Sequence, residues 1–317
     1  MSVLPLLLIC VLLGTGYLYE KWSEARDAQT FRPLGKLVDV GGRRLQLYCI
    51  GHGTPTVVIE TGMGTPSYLW MPVQNGVAKY THVCTYDRAG FGWSNPSPKA
   101  RSMTERVAEL HTLLTNAHVD GPYVLVGHSY GGALMRLFVR DYPQDIAGLV
   151  LVESSEEGIA AEPGAKIYQE TNGQALENRI RESRFGLVRL EMRKSSPLER
   201  AALSSPAFWT ETFDENQSMN RMAEEMKGTE APGTLGSLPL VVIRRGESNN
   251  ESVSGMTAEQ FEQKWQEAQE RLAKLSTNSV LVVAWESGHN VEFTQPDLIV
   301  VQIDRVVTAV RDHTPLN

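Results

Sequence analysis

Cysteine is scarce in this chain: three residues in 317 are too few for a disulfide framework. Cys10 lies in an apolar leader, and Cys49 and Cys84 fall on segments with strand character, where a thiol serves as a small apolar group. Clustered positive charge is also lacking. Against 30 Lys and Arg stand 37 Asp and Glu, for a net charge of -7 and a pI near 5.6. That balance argues against nucleic acid as the main partner, because phosphate binding needs clustered cations. None of the 7 histidines sits in a His-Glu-x-x-His or other metal-ligand spacing. Gly90-Phe91-Gly92 lacks the third glycine of a dinucleotide fingerprint, and there is no Walker glycine-lysine loop. Neither metal nor cofactor is expected. Internal repeats and low-complexity tracts are absent. Hydrophobic residues make up 42% and charged residues 21%, so the chain can bury a sizeable core, as one large α/β domain or two small ones.

The one long apolar run is Val3 to Tyr19, just long enough to cross a bilayer, with Tyr17 and Tyr19 placed as interface anchors. A cleaved secretory signal is the rival reading, with Gly14-Thr15-Gly16 as its small-residue site. No Lys or Arg precedes the run, whereas Lys21, Arg26, Arg32 and Lys36 follow it. That bias favours an anchor whose C-terminal side stays in the cytoplasm. Residues 1–20 are therefore read as an anchor or signal, and 21–36 as a polar linker.

The strongest chemical signal is Gly127-His128-Ser129-Tyr130-Gly131. It follows the apolar run Tyr123 to Val126 and precedes the small residues Gly132-Ala133. That is strand, sharp turn and helix, with a serine at the turn. Glycines on both flanks allow a strained backbone that lifts the hydroxyl clear of the sheet. Downstream, the strand-like Val280 to Trp285 runs into Glu286-Ser287-Gly288-His289. A helix pattern follows, with Pro296 near its start and Ile299, Ile303, Val306, Val307 and Val310 on one face. A histidine on the loop after a last strand is where a base for Ser129 belongs.

Together these residues resemble an α/β-hydrolase of the lipase and esterase kind, over roughly residues 37–312. Three further segments carry the likeness. Val57 to Gly64 is similar to the strand and glycine loop of the oxyanion hole. Tyr86 to Ser94 is similar to the family's Asp-Arg-x-Gly-x-Gly-x-Ser loop, and Gly148 to Glu153 to the strand after the nucleophile helix. The resemblance implies a mostly parallel eight-stranded sheet with helices on both faces and a helical lid, to which the apolar run adds an N-terminal transmembrane helix. It places the core at 37–153 and 237–317 and the lid at 154–236, where alternation stops and Pro163, Gly173, Pro197, Pro206 and Pro232 break a polar, helix-prone stretch. Met219, Met222 and Met226 fall there at helical spacing and are read chiefly as packing the lid onto the body. In the family's strand order the strands of Cys49 and Cys84 are neighbours, but the strain of a cross-strand bridge argues for free thiols.

The same resemblance assigns Ser129 as nucleophile, His289 as base, and the backbone N–H groups of Met63 and Tyr130 as the oxyanion hole. Thr61-Gly62 replaces the family's usual His-Gly pair, which leaves the bracing of that loop open. The acid has two candidates. Many members place an aspartate in the loop that here reads Arg244 to Glu251 and holds only Glu247 and Glu251 as acids. Glu153 occupies the position used by other branches, at the C-terminal edge of the sheet, and is preferred over Glu247. His128 is expected to point away from the base, and Asp87 and Arg88 to fix their own turn by local pairing.

A serine at the elbow argues against the epoxide-hydrolase and dehalogenase branches, which need an aspartate there. The expectation is a membrane-anchored serine hydrolase that cleaves a small carboxylic ester through an acyl-enzyme. An amidase or peptidase, thioesterase or cofactor-free perhydrolase would use the same triad. A non-catalytic membrane protein binding an apolar ligand under the lid is the reading from a different class.

Overall fold

The computed structural model describes residues 4–248 and 255–316. Eight strands form one sheet: β1 (Lys36–Asp39), β2 (Arg44–Ile50), β3 (Thr56–Glu60), β4 (Val83–Tyr86), β5 (Tyr123–His128), β6 (Ile146–Val152), β7 (Leu240–Arg245) and β8 (Ser279–Ala284). Their spatial order is β1-β2-β4-β3-β5-β6-β7-β8. The β1–β2 and β2–β4 pairs are antiparallel and every other pair is parallel. The sheet is the mostly parallel α/β-hydrolase arrangement that the resemblance implies.

Helices cover both faces. On one side lie α2 (Met71–Val77) and α13 (Pro296–Asp312); on the other are α3 (Met103–Asn116), α4 (Tyr130–Asp141) and α11 (Ala258–Ala273). Ile299, Ile303, Val306 and Val307 of α13 are fully buried against Val124, Val126, Val150 and Val241 of the sheet. Burial of each such side chain contributes about 1.5–3 kcal/mol. Capping boxes at Ser102/Glu105 and Thr257/Gln260 start α3 and α11. A short helix, α12 (Val291–Thr294), joins the loop after β8 to α13.

Between β6 and β7 lie six helices: α5 (Glu157–Ala161), α6 (Pro163–Arg184), α7 (Leu187–Glu191), α8 (Pro197–Ser204), α9 (Pro206–Met219) and α10 (Met222–Glu225). Of the methionine stripe, Met222 and Met226 are fully buried in the core, while Met219 faces the cavity beside Ser129.

Two expectations are corrected. Cys49 and Cys84 form a disulfide. They are directly opposed partners of the antiparallel β2–β4 pair, with Cα atoms 4.1 Å apart, so pairing of the strands brings the two side chains together. The polar stretch after the apolar run is not an open linker either. One helix, α1 (Leu4–Thr30), carries through both. Its polar half persists because Glu20 and Asp27 pair with Arg189 of α7, which buries Glu20 and Ser23.

Candidate active site

Strands β5, β6 and β8 run parallel and deliver three side chains to one edge of the sheet. Ser129 follows β5, Glu153 follows β6 and His289 lies on the loop after β8. This is the C-terminal edge, where open α/β sheets gather their reactive groups. Two of the three sit in left-handed backbone geometry, Ser129 at φ 51° and Glu153 at φ 46°. Non-glycine residues hold such geometry only where the surroundings over-determine it. At Ser129 the surroundings are tight. A Cβ on Gly127 would lie 2.6 Å from the Gly131 carbonyl oxygen, and one on Gly131 would lie 2.4 Å from that of Thr61. Ser129 N–H donates to Val152 at 3.0 Å, and Ser155 N–H donates to Ser129 at 2.9 Å, which stitches the turn to the end of β6.

Nε2 of His289 lies 3.0 Å from Ser129 Oγ, and its Nδ1 lies 3.0 Å from Glu153 Oε2. Glu153 is fully buried. Its Oε1 accepts from Arg245 N–H at 2.7 Å and Trp265 Nε1 at 3.1 Å, and its Oε2 also accepts from Arg245 Nη1 at 2.9 Å. Burial alone would raise this carboxyl. The hydrogen bond to His289 and the charge of Arg245 outweigh burial and hold it below the ordinary carboxylate range. Glu247 is exposed, and its backbone N–H donates to Ser287 at 3.0 Å. Glu251 lies outside the described residues.

Met63 lies in the turn after β3, and Tyr130 is the first residue of α4. Among the described residues neither N–H has an acceptor within the chain. A Cβ on Gly62 would stand 3.6 Å from Ser129 Cβ, so this loop lies beside the serine. Arg88 braces it. Its Nη1 donates to the Thr61 carbonyl at 2.9 Å and its Nη2 to that of Gly62 at 2.7 Å. The same guanidinium pairs with Glu60 and with Glu215 of α9, and Glu215 accepts Gly64 N–H at 3.0 Å. Asp87 does fix its own neighbourhood, accepting from Ser67 and Trp93 N–H. Arg88 does not pair locally as expected; it reaches back to the Thr61–Gly62 loop and across to α9.

His128 also departs from expectation. It packs against His289, ring centroids 4.9 Å apart, and donates from Nε2 to the His289 carbonyl at 3.0 Å. It holds the backbone of His289 and does not touch the ring nitrogens. Burial pushes His128 down to about 3 and Glu292, 3.7 Å away, up to about 7, so His128 is uncharged near neutrality while Glu292 is partly protonated there. Missed by sequence reasoning altogether were Arg245, Trp265 and Glu215. Trp265 meets His289 edge-on at 5.6 Å, and nothing in the spacing of α11 distinguishes it from a packing residue.

A cavity of about 320 Å³ opens over these groups, lined by Met63, Ser129, Ile159, Met219, Trp265 and His289 among others. A larger one, of about 460 Å³, lies between α1, Trp93 and α8 and shares no lining residue with it. Among the described residues the one clustered set of metal-ligating types is Cys49, His82 and Cys84, and there both sulfurs are taken by the disulfide.

A serine, a histidine and a carboxylate in one hydrogen-bonded line on an eight-stranded α/β sheet define the hydrolase class. The sequence profile of the alpha/beta hydrolase fold matches residues 55–233, more than half of the chain, and the chain belongs to that family. It is 27% identical over 249 residues to the uncharacterized protein YqjL of Bacillus subtilis, covering 78% of this chain and 82% of that one. Among solved structures it is similar to a thermophilic esterase from Thermogutta terrifontis, at TM-score 0.62 and 20% identity over 87% of this chain and 98% of that one. Est816, described as an N-acyl homoserine lactone degrading enzyme, gives the same TM-score of 0.62 and 20% identity, over 85% and 99%. At that identity the structural likeness establishes the fold.

Proposed function

We propose that this chain is a serine hydrolase that cleaves a small carboxylic ester through an acyl-enzyme intermediate. The observation that carries the reading is the continuous line Ser129 Oγ, His289 Nε2, His289 Nδ1 and Glu153 Oε2, with both gaps at 3.0 Å. In this reading Ser129 Oγ attacks the substrate carbonyl carbon while His289 takes the hydroxyl proton. The carbonyl oxygen gains negative charge and is held by the N–H groups of Met63 and Tyr130, each worth roughly 3 kcal/mol in such sites. His289 then gives its proton to the departing alcohol. Water repeats the sequence on the acyl-enzyme, releasing the acid and restoring Ser129. Glu153 stays ionised and stabilises the imidazolium that forms twice per turnover. The family's esterase relatives favour an ester as the substrate class.

We also read α1 as a membrane anchor; Leu4–Thr30 is the one described helix long and apolar enough to cross a bilayer. The Cys49–Cys84 disulfide favours an oxidising compartment for the catalytic domain, against the charge bias that flanks the apolar run. Two measurements test these readings. A fluorophosphonate probe is expected to label Ser129 and not the Ser129→Ala variant, and persistent labelling of the variant overturns the nucleophile. In intact cells, protease added outside is expected to reach the domain; complete protection places it in the cytoplasm.

A further inference from the structure

The N-terminal helix and the lid meet in a contact too intimate for a helix that only tethers. A Cβ on Gly16 would lie 2.6 Å from the Phe185 carbonyl oxygen, and one on Gly186 would lie 2.7 Å from the ring of Tyr19. The corner between α6 and α7 is therefore seated on α1 between Gly16 and Glu20. There Arg189, itself buried, pairs with Glu20 through Nε and Nη2, both at 2.9 Å, and with Asp27 at 2.6 Å.

The height of this contact decides its surroundings. The apolar stretch Leu4–Tyr19 spans roughly 24 Å as a helix, short of the hydrocarbon core of about 30 Å. A bilayer that accommodates the run therefore reaches Tyr19. Gly16 lies below Glu20 by about 6 Å along the helix. A corner that touches Gly16 stands at or below the level where lipid gives way to water. The corner is equipped for that position. On α7, Val188 and Arg189 face inward, while Leu187 and Leu190, one helical turn apart, are 49% and 50% exposed. The outward face of the C-terminal half of α6, which leads into the corner, is different, with exposed Gln174, Glu177, Asn178 and Arg181; the exposed Ile167 lies at the helix's far end. The exposed leucines thus occur where the lid meets the spanning helix.

We propose that the α6–α7 corner is a second membrane contact, in which Leu187 and Leu190 insert into the lipid interface beside α1. The occupant of this apolar face is the bilayer itself. The Arg189–Glu20–Asp27 cluster pairs its one buried cation with two carboxylates and fixes the lid to the anchor. The proposal rests on α1 being a membrane helix, and one experiment separates the two claims.

The full-length chain, with Cys10→Ser and its disulfide intact, is reconstituted in phosphatidylcholine–phosphatidylglycerol vesicles. Single nitroxide labels are placed by Leu13→Cys, Gln174→Cys, Leu187→Cys or Leu190→Cys, and depth is read from collision with oxygen against a water-soluble nickel complex. The expected order is Leu13 deepest, Leu187 and Leu190 at the interface, and Gln174 in water. If Leu13 is deep while Leu187 and Leu190 match Gln174, the second contact is wrong and the anchor stands. If Leu13 is itself in water, α1 is not inserted and the proposal falls with it.

Discussion

Arg245 grips Glu153 twice, with its backbone N–H on one carboxylate oxygen at 2.7 Å and its guanidinium on the other at 2.9 Å. The guanidinium also reaches Glu262 and stacks over Trp265, which itself donates to Glu153. The carboxylate is thus fixed by β7 and α11 before His289 arrives. Its folded-state acidity is raised, so the stability it contributes is present above pH 4.5 and lost as pH falls below that value.

Glu153→Gln is expected to reduce kcat by about 10³- to 10⁴-fold, because the imidazolium loses its counter-charge. Glu247→Gln should stay near the parent rate. The comparison is made with a soluble ester after circular dichroism has shown both variants folded, and the reverse ranking would move the acid to the loop after β7.

Replacing Arg245 tests the double grip. In Arg245→Met the burial of Glu153 is no longer offset by a positive charge, so its carboxyl rises and the acid limb of the kcat/KM profile moves to higher pH. Loss of one partner from a buried pair also costs roughly 3–5 kcal/mol in stability. Arg245→Lys keeps the charge and should restore most of the pH profile; a profile that does not move in either variant removes Arg245 from the electrostatics of the site.

Glu215→Gln addresses the oxyanion loop from the lid side. It weakens the hold on Arg88 and on Gly64 N–H without touching Ser129. A loosened donor loop should lower kcat by roughly 10- to 100-fold while KM changes little. A rise in KM at constant kcat would instead make Glu215 a binding residue.

Glu292 gives a pH signature of its own. Its carboxyl binds a proton more tightly in the folded chain than in the unfolded one, since burial pushes it up to about 7 from 4.5. Stability from this group is therefore full below pH 4.5 and lost as pH rises through about 7, a loss on the order of 3 kcal/mol. Glu292→Gln removes the titration. Melting temperatures measured from pH 4.5 to 8 should fall less with rising pH in the variant than in the parent, and parallel curves would refute the buried acid.

The sheet and the placing of Ser129 and His289 at its edge were legible in the sequence because each depends on neighbours in the chain. Gly127 and Gly131 flank Ser129 directly, and Ser287-Gly288 lead into His289. Glu153 was legible as the residue ending an apolar strand. What escaped depends on groups far apart. Arg88 and Glu215 are separated by 127 positions, and Arg189 and Glu20 by 169, so no local pattern announces either pair. The disulfide needed the facing register of β2 and β4, and strand identity alone leaves that register undetermined. The helical course of residues 20–30 was hidden because their polarity is balanced by a partner on the lid.

The helices between β6 and β7 are fastened to the body at two places. Helix α9 is riveted down: besides Glu215, its Glu211 and Asp214 pair with Arg106 at 2.9 and 2.6 Å, and all these groups are nearly or fully buried. Swinging it away would break several buried ion pairs at several kcal/mol each. The segments α5 and α6 are pinned at the other side of the cavity: Glu157 of α5 pairs with the buried Arg136 of α4 at 2.6 Å, and Glu156 and Glu162 pair with Arg271 and Lys264 of α11 at 2.9 and 2.6 Å. Charge thus fastens this stretch to helices on the sheet's own flank, at α3 through Arg106 and at α4 and α11 through Arg136, Lys264 and Arg271, so the mouth of the cavity cannot widen on either side without parting ion pairs.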